Sequence, residues 1–258
     1  MSGVPSSRDA TARPRDWDGA TYDRISDPML RMGATVLDRL RLVGDERVLD
    51  AGCGSGRVTE LLAERLPRGR VVALDGSPSM LDEARRRLGR FGDRVEYVVA
   101  DLARPLPVDP PVDAILSTAA FHWVPDHDAL FGHLAAVLRP GGRLAAQCGG
   151  AGNLEAIFAI LETVGDGWRG PHRFETPEAT TLRLEAAGFR DVRCWLVEER
   201  VELRRGEPLE TYLRTIVLGA HLERLPGPEQ AGFVRAVAER MAEPVLDYVR
   251  LNIDAIRG

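Results

Sequence analysis

The 258-residue sequence predicts a doubly wound α/β fold, with a mostly parallel sheet and a helical cap. From Arg47 to Gln147, short apolar runs alternate with helices that have one apolar face. Such alternation implies parallel strands joined by right-handed crossovers. The first run leads straight into Gly52-Cys53-Gly54-Ser55-Gly56 ahead of a helix. A glycine turn at that place lets a ligand approach backbone N–H groups. After Cys148 the rhythm breaks into longer helical patterns, which supply the cap.

The elements follow in chain order. Residues 1–15, rich in Ser, Pro, Arg and Asp without an apolar period, read as a mobile tail, with order beginning near Trp17. Met29, Met32, Val36, Leu37 and Leu40 recur at helical spacing between Pro28 and Leu42. Strands are expected at 47–49, 71–74, 95–99, 112–116 and 144–146, with helices over 58–66, 79–88 and 129–138. Ser77-Pro78 is a start signal for the second of these helices, and Arg139-Pro140-Gly141-Gly142 a turn after the third. Beyond a loop at 149–152 come a helix over 154–164, a loop to Phe174, and a helix from Thr176-Pro177-Glu178 to Gly188. A strand at 192–197, helices over 208–222 and 229–241, and a closing strand at 246–256 complete the chain. The seven apolar runs form one sheet in this reading. Residues 16–258 are then one domain, with a ligand-binding core at about 44–148 and cap insertions at about 149–175 and 200–245.

Composition narrows the partners. At 44% hydrophobic and 28% charged, the chain has material for a sizeable core. A net charge of −5 argues against nucleic acid as the main partner. All 34 basic residues are arginine, which reads first as coding bias and second as bidentate anion recognition by some of them. No stretch approaches the roughly 20 apolar residues that span a bilayer, and the start has no apolar leader core. Three cysteines without CxxC spacing suggest a reducing compartment. A cytoplasmic protein with no membrane partner is expected; oligomeric state is not legible.

The chemistry concentrates around the glycine turn. Asp50 precedes a GxGxG spacing, unlike the GxGxxG of dinucleotide folds. Asp75 closes the second strand, 19 positions after Gly56, where an acid accepts ribose hydroxyls. Asp101 follows the third strand, where a base edge would lie.

These segments resemble the cofactor motifs of the class I S-adenosylmethionine-dependent methyltransferases. The resemblance covers LDAGCGSG, LDGSPSML, VVADLARPLP and VDAILS through HWVPDH to LRPGGRL. It implies the seven-stranded, Rossmann-like methyltransferase fold and S-adenosylmethionine as cofactor, leaving S-adenosylhomocysteine as product. It also implies that Asp50, Ala51, Gly52, Gly54 and Gly56 form the loop against the methionine moiety. Asp75, Gly76 and Ser77 would serve the ribose, Met80 would cover the adenine, Asp101 and Leu102 would bind its edge, and Ser117 would end near the transferable methyl. Within the superfamily the chain is similar to the trans-aconitate methyltransferase group, through Trp17-Asp18 with Tyr22, HWVPDH and the ending LDYVRLNIDAI. In that comparison Arg31 would contact the cofactor carboxylate, although Met32 stands where the group has proline.

A small-molecule acceptor is expected, with the reaction an in-line displacement at the sulfonium methyl. A carboxylate needs no base, whereas a hydroxyl, amine or carbon acid does. His122, beside Trp123 after the fourth strand, is the candidate base; packing is the alternative reading. Tyr22, Trp123, Trp168, Arg169, His172 and Tyr212 are candidate acceptor contacts, each with core packing or solvent exposure as its alternative. His127 and His133, with Asp126 and Asp128, fall on a loop and a solvated helix face without metal-ligand spacing, so no metal is expected. Two other functions remain open: a cofactor-binding protein on this fold that does not transfer methyl, and a nicotinamide-dependent oxidoreductase, against which the GxGxG spacing argues.

Overall fold

A computed structural model describes residues 15–258. The expected mobile tail lies outside the described residues except at Arg15. That residue is anchored: its guanidinium pairs with Glu223 at 2.8 Å and lies 4.4 Å over the Trp17 ring.

Seven strands form one sheet in the order β3-β2-β1-β4-β5-β7-β6. They are β1 (Arg47–Ala51), β2 (Arg70–Asp75), β3 (Val95–Val99), β4 (Val112–Thr118), β5 (Leu138–Gly149), β6 (Phe189–Glu202) and β7 (Val245–Arg257). The first five are parallel, and β7 runs antiparallel between β5 and β6. Strand alternation sorts the core. Val48, Val71, Ala73, Ala114 and Leu116 face one hydrophobic cluster, whereas Leu49, Val72, Leu74 and Ile115 face another on the opposite side. Helices α2 (Asp27–Leu37), α3 (Arg57–Glu64) and α4 (Pro78–Leu88) cover the first side. Helices α5 (His127–Val137) and α7 (Pro177–Ala186) cover the second.

Several elements depart from the sequence expectation for local reasons. A helix α1 (Gly19–Ile25) precedes α2, capped by Asp18, whose carboxylate accepts from Thr21 N–H at 3.0 Å. Its seven residues are too few to show an apolar period. The Arg139–Gly142 turn lies within β5 as a bulge: pairing jumps from Val112↔Leu138 to Ala114↔Arg143, with Gly141 at φ 77°. The helix expected over 208–222 is three pieces, α8 (Glu207–Tyr212), a π-turn at Leu213–Val217 and α9 (Gly219–Leu222). His127 lies in the first turn of α5, and not on a loop; it is buried, with Nε2 3.0 Å from the Phe121 carbonyl oxygen.

A third cluster belongs to the cap. Leu154, Ile157, Phe158 and Leu161 of α6 (Glu155–Val164) and its entry pack with Leu209, Tyr212, Leu213 and Leu218. Val234 and Val237 of α10 (Gly227–Arg240) join them, as do Leu246 and Tyr248 of β7. The cap therefore rests on the strand that completes the sheet. Among the described residues no helix is long and apolar enough to cross a membrane.

Candidate active site

Parallel strands end together, and the loops after β1, β2, β3 and β4 open onto one cavity of about 810 Å³. Clefts at this edge are the usual ligand sites of doubly wound sheets, and the volume is in the range of small-molecule pockets. Its other side is closed by Trp168 and His172 of the cap, Tyr22 of α1 and Tyr248 of β7.

The glycine turn is shaped by two different needs. Gly52 has φ 86°, and a Cβ there would lie 2.3 Å from the Ala120 Cβ, so the β1 and β4 loops approach as only glycine allows. Gly54 has φ 55° with open space where a Cβ would stand, and its N–H donates to Asp75 Oδ2 at 2.8 Å. Asp75 also accepts from Ser77 N–H at 2.9 Å. A carboxylate has about four lone-pair positions, so capacity remains toward the cavity. Burial pushes the Asp75 carboxyl above its ordinary range, opposed by those backbone bonds. Ser77 caps α4 by accepting from Met80 N–H at 3.2 Å, which places Met80 on the cavity wall. Asp101 folds its own loop by accepting from Ala103 N–H at 2.9 Å. A bare backbone concavity, an acid with spare acceptor positions and an apolar slot beside Met80 and Leu102 fit a nucleoside joined to an amino acid.

Thirteen of the residues singled out from the sequence line this cavity: Gly52, Gly54, Asp75, Gly76, Ser77, Met80, Asp101, Leu102, His122, Tyr22, Trp123, Trp168 and His172. Seven others lie off it. Asp50 is buried behind the loop, accepting from Thr59 Oγ1 at 2.7 Å, and burial pushes its carboxyl up to about 7. Ala51 is buried in the sheet, and Ser117 donates its hydroxyl to the Ala51 carbonyl at 2.6 Å, turned away from the cavity. Gly56 separates helices, since a Cβ would stand 3.1 Å from Leu88 and 3.2 Å from Ala84. Arg31 is exposed on α2, opposite buried Met32 and Val36. Arg169 is exposed, pairing with Glu155 and lying over Phe158. Tyr212 is buried in the cap, its hydroxyl 3.2 Å from that of Tyr248, which does face the cavity.

One stretch of the cavity wall is aromatic. Trp17 meets Trp123 edge-on at 5.2 Å and Tyr22 at 5.7 Å; Trp123 is 4.3 Å from His172, whose ring stacks on Phe174 at 5.3 Å. His122 sits among them, and its Nδ1 accepts from Gly149 N–H at 3.3 Å. Its conjugate acid is strongly disfavoured, by burial first and by neighbouring His172 and Arg250 next. A neutral imidazole that accepts at Nδ1 carries its proton on Nε2, a tautomer assigned from this bond pattern. His122, which lines the cavity, is thus a hydrogen-bond donor at Nε2 and poorly suited to remove a proton.

Sequence reasoning passed over Tyr248 and Arg250. Both face the cavity from β7, and the Arg250 side chain is buried. Their signal was a polar face in a strand: Leu246, Tyr248, Arg250 and Asn252 share one side and are all buried.

Comparison with known proteins agrees with this architecture. Residues 48–142 match the model of a methyltransferase domain. A trans-aconitate 2-methyltransferase of Methylobacterium nodulans is 39% identical over 182 residues, 70% of this chain and 67% of that protein. One from Paracidovorax citrulli is 31% identical over 234 residues, 86% of this chain and 87% of that protein. With some further relatives of this name the matched stretch is 132 residues, about half of their length. Among solved structures, Haemonchus contortus phosphoethanolamine N-methyltransferase 2, in complex with phosphomonomethylethanolamine and S-adenosylhomocysteine, aligns with a TM-score of 0.60 at 20% identity. That alignment covers 93% of this chain and 56% of the other, and it shows the fold. The chain is an S-adenosylmethionine-dependent methyltransferase by its sequence relatives and belongs to the trans-aconitate 2-methyltransferase family.

Proposed function

We propose that this chain transfers methyl to a carboxylate oxygen of a small polycarboxylate, giving a methyl ester. The observation that carries this reading is the state of His122: its Nδ1 is taken by Gly149 N–H, and burial keeps it neutral. An acceptor needing deprotonation would find no free base there. A carboxylate, ionised at pH 7, needs none. The relatives' name, trans-aconitate 2-methyltransferase, points to the same acceptor class.

Bound S-adenosylmethionine supplies an electrophilic methyl whose departure leaves the carbon–sulfur electron pair on sulfur as a neutral thioether. The attacking oxygen uses a lone pair it already has, an ester bond forms, and no proton is transferred. The work of the chain is alignment and exclusion of water. In this reading Asp75 takes ribose hydroxyls through its spare lone pairs, Met80 and Leu102 enclose the adenine, and Asp101 meets its edge. Trp17, Trp123 and His172 wall the acceptor end in this reading, and His122 beside them has an Nε2–H to donate. Neither Arg31 nor Ser117 is among the residues that line the cavity.

The test is product chemistry. Incubation with methyl-labelled S-adenosylmethionine and a panel of di- and tricarboxylates should yield an alkali-labile methyl ester and S-adenosylhomocysteine. Turnover should be level between pH 6 and 8, because neither His122 nor the acceptor changes charge there. Alkali-stable methylation on nitrogen or carbon, or a limb near pH 6.5 abolished in His122→Gln, overturns the reading. Cofactor binding with no methyl product from any of these acceptors would favour a non-methylating role.

A further inference from the structure

Resting on that reading, we infer that Arg250 holds a second, non-reacting carboxylate of the acceptor and so selects polycarboxylates over monocarboxylic acids. Arg250 is 3% exposed and lines the cavity. Its Nε is directed at Gln147 Oε1, a long contact of 3.4 Å, and no other hydrogen bond is made by its guanidinium among the described residues. None of the ion pairs among the described residues includes it. The titratable groups that face it are Cys148, the phenols of Tyr248, Tyr212 and Tyr22, and the imidazole of His122, all neutral at pH 7.

A buried cation without an anion is unusual, because removing a charge from water is costly unless a partner restores the loss. Arginine cannot escape by giving up its proton at physiological pH. The chain nonetheless builds support beneath it. Gln147 Nε2 donates to Asn252 Oδ1 at 3.1 Å, and the same oxygen accepts from Arg39 at 2.6 Å. The Nε edge is thereby steered to protein, while both terminal nitrogens remain for a planar, two-oxygen ligand. Tyr22 and Tyr248 place phenols beside this position, and their hydroxyls suit the outer lone pairs of a bound carboxylate.

The non-reacting group is assigned to Arg250 on chemical grounds. A guanidinium bound through two hydrogen bonds withdraws electron density from both oxygens and weakens them as nucleophiles. A single neutral donor, such as the His122 Nε2–H, leaves the attacking oxygen its reactivity. A monocarboxylate reacting near His122 would leave the buried guanidinium unmatched. The site therefore discriminates by leaving a charge unpaired, which is the more effective form of rejection.

The experiment compares wild type with Arg250→Met and Arg250→Lys, each loaded with S-adenosylhomocysteine and titrated calorimetrically with trans-aconitate or with crotonate, a monocarboxylate. Expected are a rise of ~10- to 100-fold in the trans-aconitate Kd for Arg250→Met, a smaller rise for Arg250→Lys, weak crotonate binding throughout, and unchanged S-adenosylhomocysteine affinity. The Tm of unliganded Arg250→Met should equal or exceed that of wild type, since an unpaired buried charge is removed; a merely structural arginine would give a fall. Trans-aconitate binding that survives Arg250→Met overturns the inference. So does an equal loss of S-adenosylhomocysteine affinity, which would make Arg250 a cofactor contact, and so does a wild type that binds neither acid. Ester formation by wild type is scored separately: Arg250-dependent binding without ester defeats the proposed reaction and leaves the anchor standing, whereas ester formation with Arg250-independent binding does the reverse.

Discussion

Asp75 illustrates how one side chain serves the loop and, as proposed, the ligand together. Its two backbone bonds, to Gly54 and Ser77, join the β1 and β2 loops, and the remaining acceptor positions would meet a ribose. Hydrogen bonds to a charged group contribute about 1.5–3 kcal/mol, so Asp75→Ala should weaken S-adenosylhomocysteine binding ~10- to 100-fold, with Asp75→Asn between. Calorimetry on folded variants checks this, and an affinity within twofold of wild type would remove Asp75 from the site. His172 makes a different prediction, about acid stability. Burial first, and then the positive charge nearby at His221 and Arg15, lowers its pKa to about 4, against about 6.5 in an unfolded chain. Between those values the unfolded chain binds a proton that the folded one refuses. Stability present above pH 6.5 is therefore lost as pH falls toward 4, by up to about 3 kcal/mol from this group. His172→Phe should flatten the decline in Tm over that window; an unchanged slope would show that other groups govern it.

The short helix α1 depends on what it docks against, because seven residues are below the length at which a helix is stable in water. Asp23 supplies the joint: it accepts from Ser55 Oγ at 2.8 Å within the glycine turn and from Arg87 Nη2 at 2.7 Å on α4. Trp17 N–H adds a bond to Ser77 Oγ at 3.2 Å. The segment so fixed places Trp17 and Tyr22 on the cavity. Asp23→Ala should speed amide exchange over residues 19–25 and release S-adenosylhomocysteine several-fold faster, while exchange in β1 and β4 stays slow. Unaltered exchange at α1 would show that aromatic packing alone holds it. The helix was illegible in the sequence for the reason that makes it dependent: its stabilising contacts are polar and long-range. The core strands were legible because burial on both faces makes continuous apolar runs, Val71 to Leu74 being the clearest. Their ends were not, since β5 and β6 continue through a bulge and an exposed edge where hydrophobicity gives no signal.

Across the whole molecule, the cavity joins a half that the sequence describes well to one that it describes poorly. Motif spacing pointed to Gly52, Gly54, Asp75 and Asp101, and the family resemblance to Met80, all of which line the cavity, because the β–loop–α geometry fixes where the loops after parallel strands must fall. Arg250 and Tyr248 were passed over because their meaning depends on β7 entering between β5 and β6, a topological fact with no local signature. Arg39 ties these halves together. From the turn after α2 its guanidinium donates to Asp254 at 2.8 Å, Asn252 at 2.6 Å and the Ala146 carbonyl at 2.7 Å, with the Trp195 ring 5.0 Å away. One side chain thus spans β5, β7 and β6, and through Asn252 and Gln147 it leads to Arg250. Removing it leaves the Asp254 carboxylate and the Asn252 oxygen partly desolvated without their donor. Because the pair is partly exposed, at 19% and 34%, the loss should be about 2 kcal/mol, below that of a fully buried pair. For a chain of this size that is a fall of roughly 4–8 °C in Tm. Arg39→Met should show that fall together with weaker acceptor binding, because Gln147 no longer has a fixed neighbour to orient Arg250, and it should leave S-adenosylhomocysteine affinity unchanged, because the loops proposed to bind the cofactor follow β1 to β3. Thermal melting and paired titrations measure both effects. A Tm within 2 °C of wild type would mean that β7 is held by its strand pairing alone, and a parallel loss of cofactor binding would mean that the two halves of the cavity are not mechanically separable.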